Sequence, residues 1–212
     1  MCKWCEPTSM GIGNEKGFEP GGALITLHLI LGVLASSRVP GTTIVQSMDL
    51  VIALCEAPPT LVSGFQSPVE RECLKFLLKA QMPLIVCPAR SAVGMRIPAE
   101  WKAAIAANRL TIRSAIDEEF ESQQHTVRLG SAPRRPTTAL AEHRNRFVAA
   151  ISDAVLILHA SPGGKLDRLA TDLLTKGRKP VWTLDDPANH HLIAAGARSV
   201  SSDTVSKIWQ AD

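Results

Sequence analysis

From Leu27 to the end of the chain, short and wholly apolar runs alternate with segments whose apolar residues recur at helical spacing. A strand that is apolar at every position must be covered on both faces. This alternation therefore points to an open parallel sheet wrapped by helices on either side. The predicted strands are Leu27–Ala35, Thr60–Ser63, Pro83–Cys87, Leu110–Ser114, Ala154–His159 and Val181–Leu184. One predicted helix covers Thr42–Cys55, with Ile44, Met48, Ile52 and Cys55 on one face. A second starts at Pro68 and turns Val69, Cys73, Leu77 and Ala80 inward; Ser67, Pro68 and Glu70 form a capping box at its start. Glu70 and Glu72 are assigned to the helix dipole and the solvent face. Further helices are predicted over Ala99–Asn108 and Thr137–Ser152, and from Leu166 to a stop at Gly177. Asp186-Pro187 caps a short final helix. Asp117–Pro136 is polar, has no period and reads as a long loop. The expectation is a single doubly wound α/β domain over residues 27–200, with an N-terminal extension (1–26) and a polar tail (201–212).

With 212 residues, 45% of them hydrophobic and 20% charged, the chain can fill a sizeable core, and disorder of the whole is excluded. The cysteines, at 2, 5, 55, 73 and 87, are odd in number. Three lie in apolar runs, as buried free thiols do, which fits a reducing, cytoplasmic setting. Cys2 and Cys5 form a lone CxxC with no further ligands at zinc spacing, so no metal site is expected. The apolar stretch Ala23–Ala35 is too short to span a bilayer, and the residues before it carry the wrong charge for a signal peptide.

Function is concentrated in the run Arg144–Ala160, followed by Ser161-Pro162-Gly163-Gly164. On a helical wheel Leu140, Phe147, Val148 and Ile151 make one face, with Arg144 in its middle. A guanidinium placed inward is costly unless it is paired or aimed at an anion. The Gly-rich turn that follows would offer backbone N–H groups and a helix N-terminus to a phosphate. In open parallel sheets, ligands bind beyond the carboxyl ends of the strands. There the chain places Ser36, Ser37, Arg38, Ser63, Gly64, Phe65, Gln66, Arg90, Ser161–Gly164 and Asp185–Asn189. The net charge is only +3, but Arg128, Arg134, Arg135, Arg144 and Arg146 cluster with His125 and His143.

No GxGxxG and no Walker A motif is present, so no nucleotide cofactor of those kinds is expected. A nucleophile elbow is also missing. His159 reads as a packed histidine, His190 and His191 as surface residues, and Asp185-Asp186 as a strand end followed by an N-cap.

Four segments carry a resemblance: Ser63–Glu70, Val86–Arg90, Arg144-Asn145-Arg146 and Thr183–Asn189. Together they resemble the Rossmann-like core of the DprA (Smf) DNA-processing family, from about Leu31 to Ala197. Ser36-Ser37-Arg38 looks like that family's Gly-Ser-Arg turn, with Ala35 replacing the glycine. The resemblance implies single-stranded DNA binding, a homodimer, and a RecA-type recombinase as partner. Arg38, Arg144 and Arg146 are carried over as contacts, and Arg134 and Arg135 extend the basic surface. The nucleotide-phosphate site is assigned to Ser36, Ser37, Arg38, Ser63, Gly64, Phe65, Arg144, Ser161, Gly163 and Gly164.

Pro162-Gly163-Gly164, with Arg144 upstream, also resembles the LOG-type phosphoribohydrolases of the same superfamily. In their motif Leu166 replaces a glycine, Asp167 a threonine, and Ala170 the catalytic glutamate. A glycosidic bond needs a carboxylate. The reading is therefore DNA or nucleotide-phosphate binding without catalysis. The alternative is a small-ligand nucleotide-binding protein or a hydrolase of nucleoside 5′-monophosphates.

Overall fold

Seven strands, all parallel, form one sheet: β1 (Ile30–Ala35), β2 (Thr60–Ser63), β3 (Leu84–Val86), β4 (Leu110–Ile112), β5 (Ala154–His159), β6 (Val181–Leu184) and β7 (Arg198–Val200). The computed structural model describes residues 29–122 and 135–209. The helices are α1 (Gly41–Leu54), α2 (Pro68–Lys79), α3 (Ala99–Ala106), α4 (Ala115–Ser122), α5 (Thr138–Ile151), α6 (Lys165–Lys176) and α7 (His190–Ala194). Short 3-10 segments cover Pro187–Asn189 and Ser202–Ile208. Across the sheet the order is β4-β3-β2-β1-β5-β6-β7. The chain winds outward from β1 on one side, then returns to begin β5 on the other. The two crossovers diverge between β1 and β5, and that point faces the ligand site in folds of this kind.

β5 shows how the two layers form. Ala154, Leu156 and Leu158 face a core built with α1, α2, α3 and the Ser202–Ile208 segment. Val155 and Ile157 face a second core built with α5, α6 and α7. All six residues of β5 are buried, as a two-sided strand requires. The doubly wound, Rossmann-like sheet expected from the alternation of apolar runs is the fold of this chain.

Helix α5 lies close on β1 because Gly32 has no side chain. A Cβ there would collide with Ser152 Oγ and press on Val148. Lys179 then closes the C-terminal end of α5, donating to the carbonyls of Ala149, Ala150 and Ser152. A cation at that end also complements the helix dipole.

Several expectations are corrected. Residues 117–122, expected as the start of a long loop, belong to helix α4: the Ser114 hydroxyl accepts the Asp117 N–H, and Asp117 and Glu118 sit favourably in the first turn. On α1 the buried face is Thr43, Ser47, Leu50, Val51 and Leu54, while Ile44, Val45 and Ile52 are exposed. The cause is polar: Thr43 Oγ1 donates to buried Asp186 at 3.0 Å, and Ser47 Oγ donates back to the Thr43 carbonyl. Ala80, expected inward, is the exposed C-cap of α2. Ser202–Ile208, in the polar tail, packs on α1 through buried Ile208, and β7 is a strand the periodicity did not mark. Cys2, Cys5 and the start of the first predicted strand lie outside the described residues.

Burial pushes the thiols of Cys73 and Cys87 up to about 12 by disfavouring the thiolate. At pH 8 only about one such thiol in ten thousand is ionised. Iodoacetamide at pH 8, followed by peptide mapping, should leave both unmodified in the native protein and label both in denaturant. Gly32→Ala should lower stability to urea by about 1–3 kcal/mol through overpacking, and Ser152→Ala should restore part of it.

Candidate functional site

The ends of β1 and β5 and the turns that follow them build one wall of a cleft. Ser36 N–H donates to the His159 carbonyl at 2.8 Å, and Ser161 N–H donates to Ser36 Oγ at 3.1 Å. These bonds lash the β1–α1 turn to the β5–α6 turn. Behind them, the buried Asn189 side chain contacts His159 Nδ1 at 3.0 Å and donates to the Leu158 carbonyl at 2.9 Å. His159 is thus a packed histidine that fixes the strand end.

The opposite wall comes from α2. Ser67 caps the helix by accepting the Glu70 N–H, and Glu70 returns the bond to the Ser67 N–H. Glu70 does more than complete this capping box. It is 3% exposed, so its assignment to the solvent face is corrected. Its carboxylate also accepts the N–H of Gln66 at 2.9 Å and that of Ala35 at 2.8 Å. One side chain therefore ties α2 to the end of β1. The β2–α2 turn is tight: Phe65 has a φ of +48°, its N–H donates to Ser63 Oγ, and its ring is locked into the core. A bulky residue in the left-handed region is strained, and that packing holds it there.

Arg144 reaches in from α5 with only 6% of its surface exposed. Its guanidinium packs directly against Gly64, where any Cβ would overlap Nη1. Nη1 donates a long 3.4 Å bond to the Cys87 carbonyl, while buried Nε has no hydrogen-bond partner among the described residues. Burial lowers the affinity of this guanidinium for its proton, and the nearby Glu70 and Cys87 oppose that shift. A buried cation is costly unless it is paired, and among the described residues this one is incompletely satisfied.

Between these walls is a cleft of about 990 Å³, at the upper end of ordinary small-ligand sites, about 300–1,000 Å³. Of the expected residues, Ser36, Ser37, Arg38, Arg144, Ser161 and Gly164 line it. Ser63, Gly64 and Phe65 shape the turn behind Arg144 instead. Gly163 has a φ of +69° and gives its N–H to Asp167 at 2.8 Å, while the Gly164 N–H goes to the Ser161 carbonyl. The turn therefore spends those two N–H groups on itself. What it leaves open is the first turn of α6, where Gly164 at the N-cap supplies no side-chain acceptor. Lys165 stands there in an ion pair with Glu142, whose carboxyl is held below its usual range by that bond.

Arg38 is exposed and forms no ion pair among the described residues. Arg135 is exposed beside Pro136 at the cleft mouth. Arg146 points outward to Asp172 at 3.3 Å. Arg134 lies outside the described residues. Gln66, expected at the strand ends, also lines the cleft, whereas sequence reasoning passed over Glu70, Thr137, Thr138 and Asn145 as lining groups. For Glu70 the signal was present in the capping box, but its contact with Ala35 exists only once β1 and α2 are packed.

No protein-family model matches the sequence, and no curated protein matches it. Among solved structures, DNA processing protein A (DprA) from Streptococcus pneumoniae is similar at 16% identity and a TM-score of 0.62, over 84% of this chain and 60% of that one. The chain thus spans about 60% of the length of that protein. DprA from Helicobacter pylori, described for its single-stranded DNA binding mode, is similar at 18% identity and a TM-score of 0.60, over 86% and 81%. The molybdenum cofactor binding protein from Rippkaea orientalis is similar at 17% identity and a TM-score of 0.56, over 87% and 97%. At these identities the likeness is one of fold, and the DprA-like core expected from the sequence is present.

Gly64→Ala should expel the guanidinium of Arg144 from its seat. The expected result is a stability loss of about 1–3 kcal/mol in urea unfolding. An unchanged unfolding midpoint would contradict the packing described.

Proposed function

We propose that this chain binds nucleotide phosphate without catalysis, in the cleft between the ends of β1 and β5. The phosphate belongs to a free nucleotide or to single-stranded DNA. The observation that carries this reading is Arg144: buried, incompletely hydrogen-bonded and lining a switch-point cleft. Arg38 and the first turn of α6 would complete an anion site around it.

Hydrolysis on the LOG plan finds less support. Ala170, at the place of the catalytic glutamate, is buried in the helix-facing core, and Asp167 is engaged by the Gly163 N–H. The strand-binding form is supported by the fold shared with the H. pylori protein and by exposed Arg135 at the cleft mouth. Arg146 would join it by exchanging its weak, solvent-screened surface ion pair with Asp172 for a phosphate. In that form the protein is a cytoplasmic homodimer that passes its strand to a RecA-type recombinase.

Fluorescence anisotropy with a short labelled oligodeoxynucleotide and calorimetry with mononucleotides test the reading together. Arg38→Ala and Arg144→Met should each weaken binding about tenfold or more, the size of one charge-assisted contact. Strand binding should fall with rising salt at a slope of about 0.7 per phosphate contact, and Arg135→Ala should flatten that slope. Absence of binding to both kinds of ligand at low salt would refute the proposal.

A further inference from the structure

Away from the cleft, helix α1 turns a face outward that is both apolar and acidic. Val45, Asp49, Ile52 and Glu56 follow one another at intervals of three or four residues, so they form one stripe along the helix and its C-terminal turn. Val45 is 62% exposed and Ile52 49%, with Ile44 beside them at 37%. Single exposed apolar residues are ordinary, whereas several together on one helix mark a contact surface.

The Ser202–Ile208 segment packs along α1 and turns this stripe into a groove. One cavity of about 490 Å³ lies between Asp49, Ile52 and Glu56 on α1 and Asp203, Val205 and Ser206 opposite. A second, of about 190 Å³, shares Asp49 and Ser202 with it and extends to Gln46 and Asp185. Neither is lined by a lysine, arginine or histidine. Among the described residues Asp49, Glu56, Asp185 and Asp203 form no ion pair. The groove thus combines apolar side chains with four free carboxylates, in a chain whose overall charge is +3.

Two further features give the sign of what it receives. The stripe runs to the C-terminal end of α1, where the helix dipole is negative and no basic residue stands in the last turn. Gln46 Oε1 is buried with no hydrogen-bond partner among the described residues. Carboxylates, a helix C-terminus and an unpaired amide oxygen all accept, so the occupant donates and carries positive charge. The same charges exclude other occupants. Phosphates are repelled. A second copy packed face to face would set Asp49 and Glu56 against acidic counterparts or bury them unpaired. Residues 1–28 carry Glu6, Glu15 and Glu19 against Lys3 and Lys16, and so lack the complementary charge.

We propose that the groove between α1 and the Ser202–Ile208 segment docks a cationic amphipathic helix of a partner protein. Its apolar residues would lie on Val45 and Ile52, and its lysines or arginines on Asp49 and Glu56. The spacing of these four residues along α1 matches the i, i+3/i+4, i+7 anchors of a helix laid in a groove. The surface shares no lining residue with the phosphate cleft and does not depend on what that cleft binds.

The test is a display selection of random peptides of helix length on the full chain, counter-selected on the Asp49→Lys/Glu56→Lys variant. The recovered peptides should be rich in lysine or arginine and carry apolar residues at helical spacing. In fluorescence anisotropy the tightest of them should bind that double variant about tenfold or more weakly, because attraction becomes repulsion. Ile52→Ser should also weaken it. These side chains are exposed, so the variants keep the fold. Glu72→Lys, an exposed charge reversal on α2, should leave binding unchanged. Recovery of no peptide, of acidic peptides, or of peptides indifferent to the double charge reversal would overturn the proposal. So would self-association in sedimentation equilibrium that Ile52→Asp abolishes, because the occupant would then be a second copy.

Discussion

Burial of β5 on both faces is the constraint from which the rest of the molecule follows. Its alternate residues enter two separate cores, so helices must cover the sheet front and back. Parallel neighbours at β1 and β6 then require crossover connections, and the reversal of winding leaves an opening between β1 and β5. The cleft is a consequence of this topology: two adjacent strand ends whose following helices depart on opposite faces cannot close the space between them.

Within that opening the critical event is the desolvation of Arg144. Three residues distant in sequence make it tolerable. Gly64 leaves the space its side chain needs, the Cys87 carbonyl accepts a long bond, and Glu70 supplies nearby negative charge. Glu70 is itself fixed by backbone N–H groups from two different turns, so cation and carboxylate are both held by main chain. Such groups need little reorganisation when a ligand arrives, which favours recognition in a preformed site.

Much of this was legible before folding. The strands Thr60–Ser63, Ala154–His159 and Val181–Leu184 were marked by uninterrupted apolar residues, and the capping box at Ser67 by local spacing. The inward placement of Arg144 followed from helical periodicity alone. What periodicity misread was α1, where it treats apolar residues as the buried set. The buried face there is led by Thr43 and Ser47 because Thr43 answers Asp186, a residue far along the chain. The helix at Ala115–Ser122 was missed for a similar reason: its first turn carries charge where apolar spacing was sought.

The sequence by itself determined six of the sheet's strands, the two helical layers and the presence of a costly cation on α5, since each is set by local hydrophobic pattern. Tertiary structure decided what that cation meets. It brought Glu70 beneath the β1 turn, used the Gly163 and Gly164 N–H groups inside their own loop, and seated the guanidinium on Gly64. These are pairings between residues widely separated along the chain or choices among competing hydrogen bonds, and only packing in three dimensions resolves them.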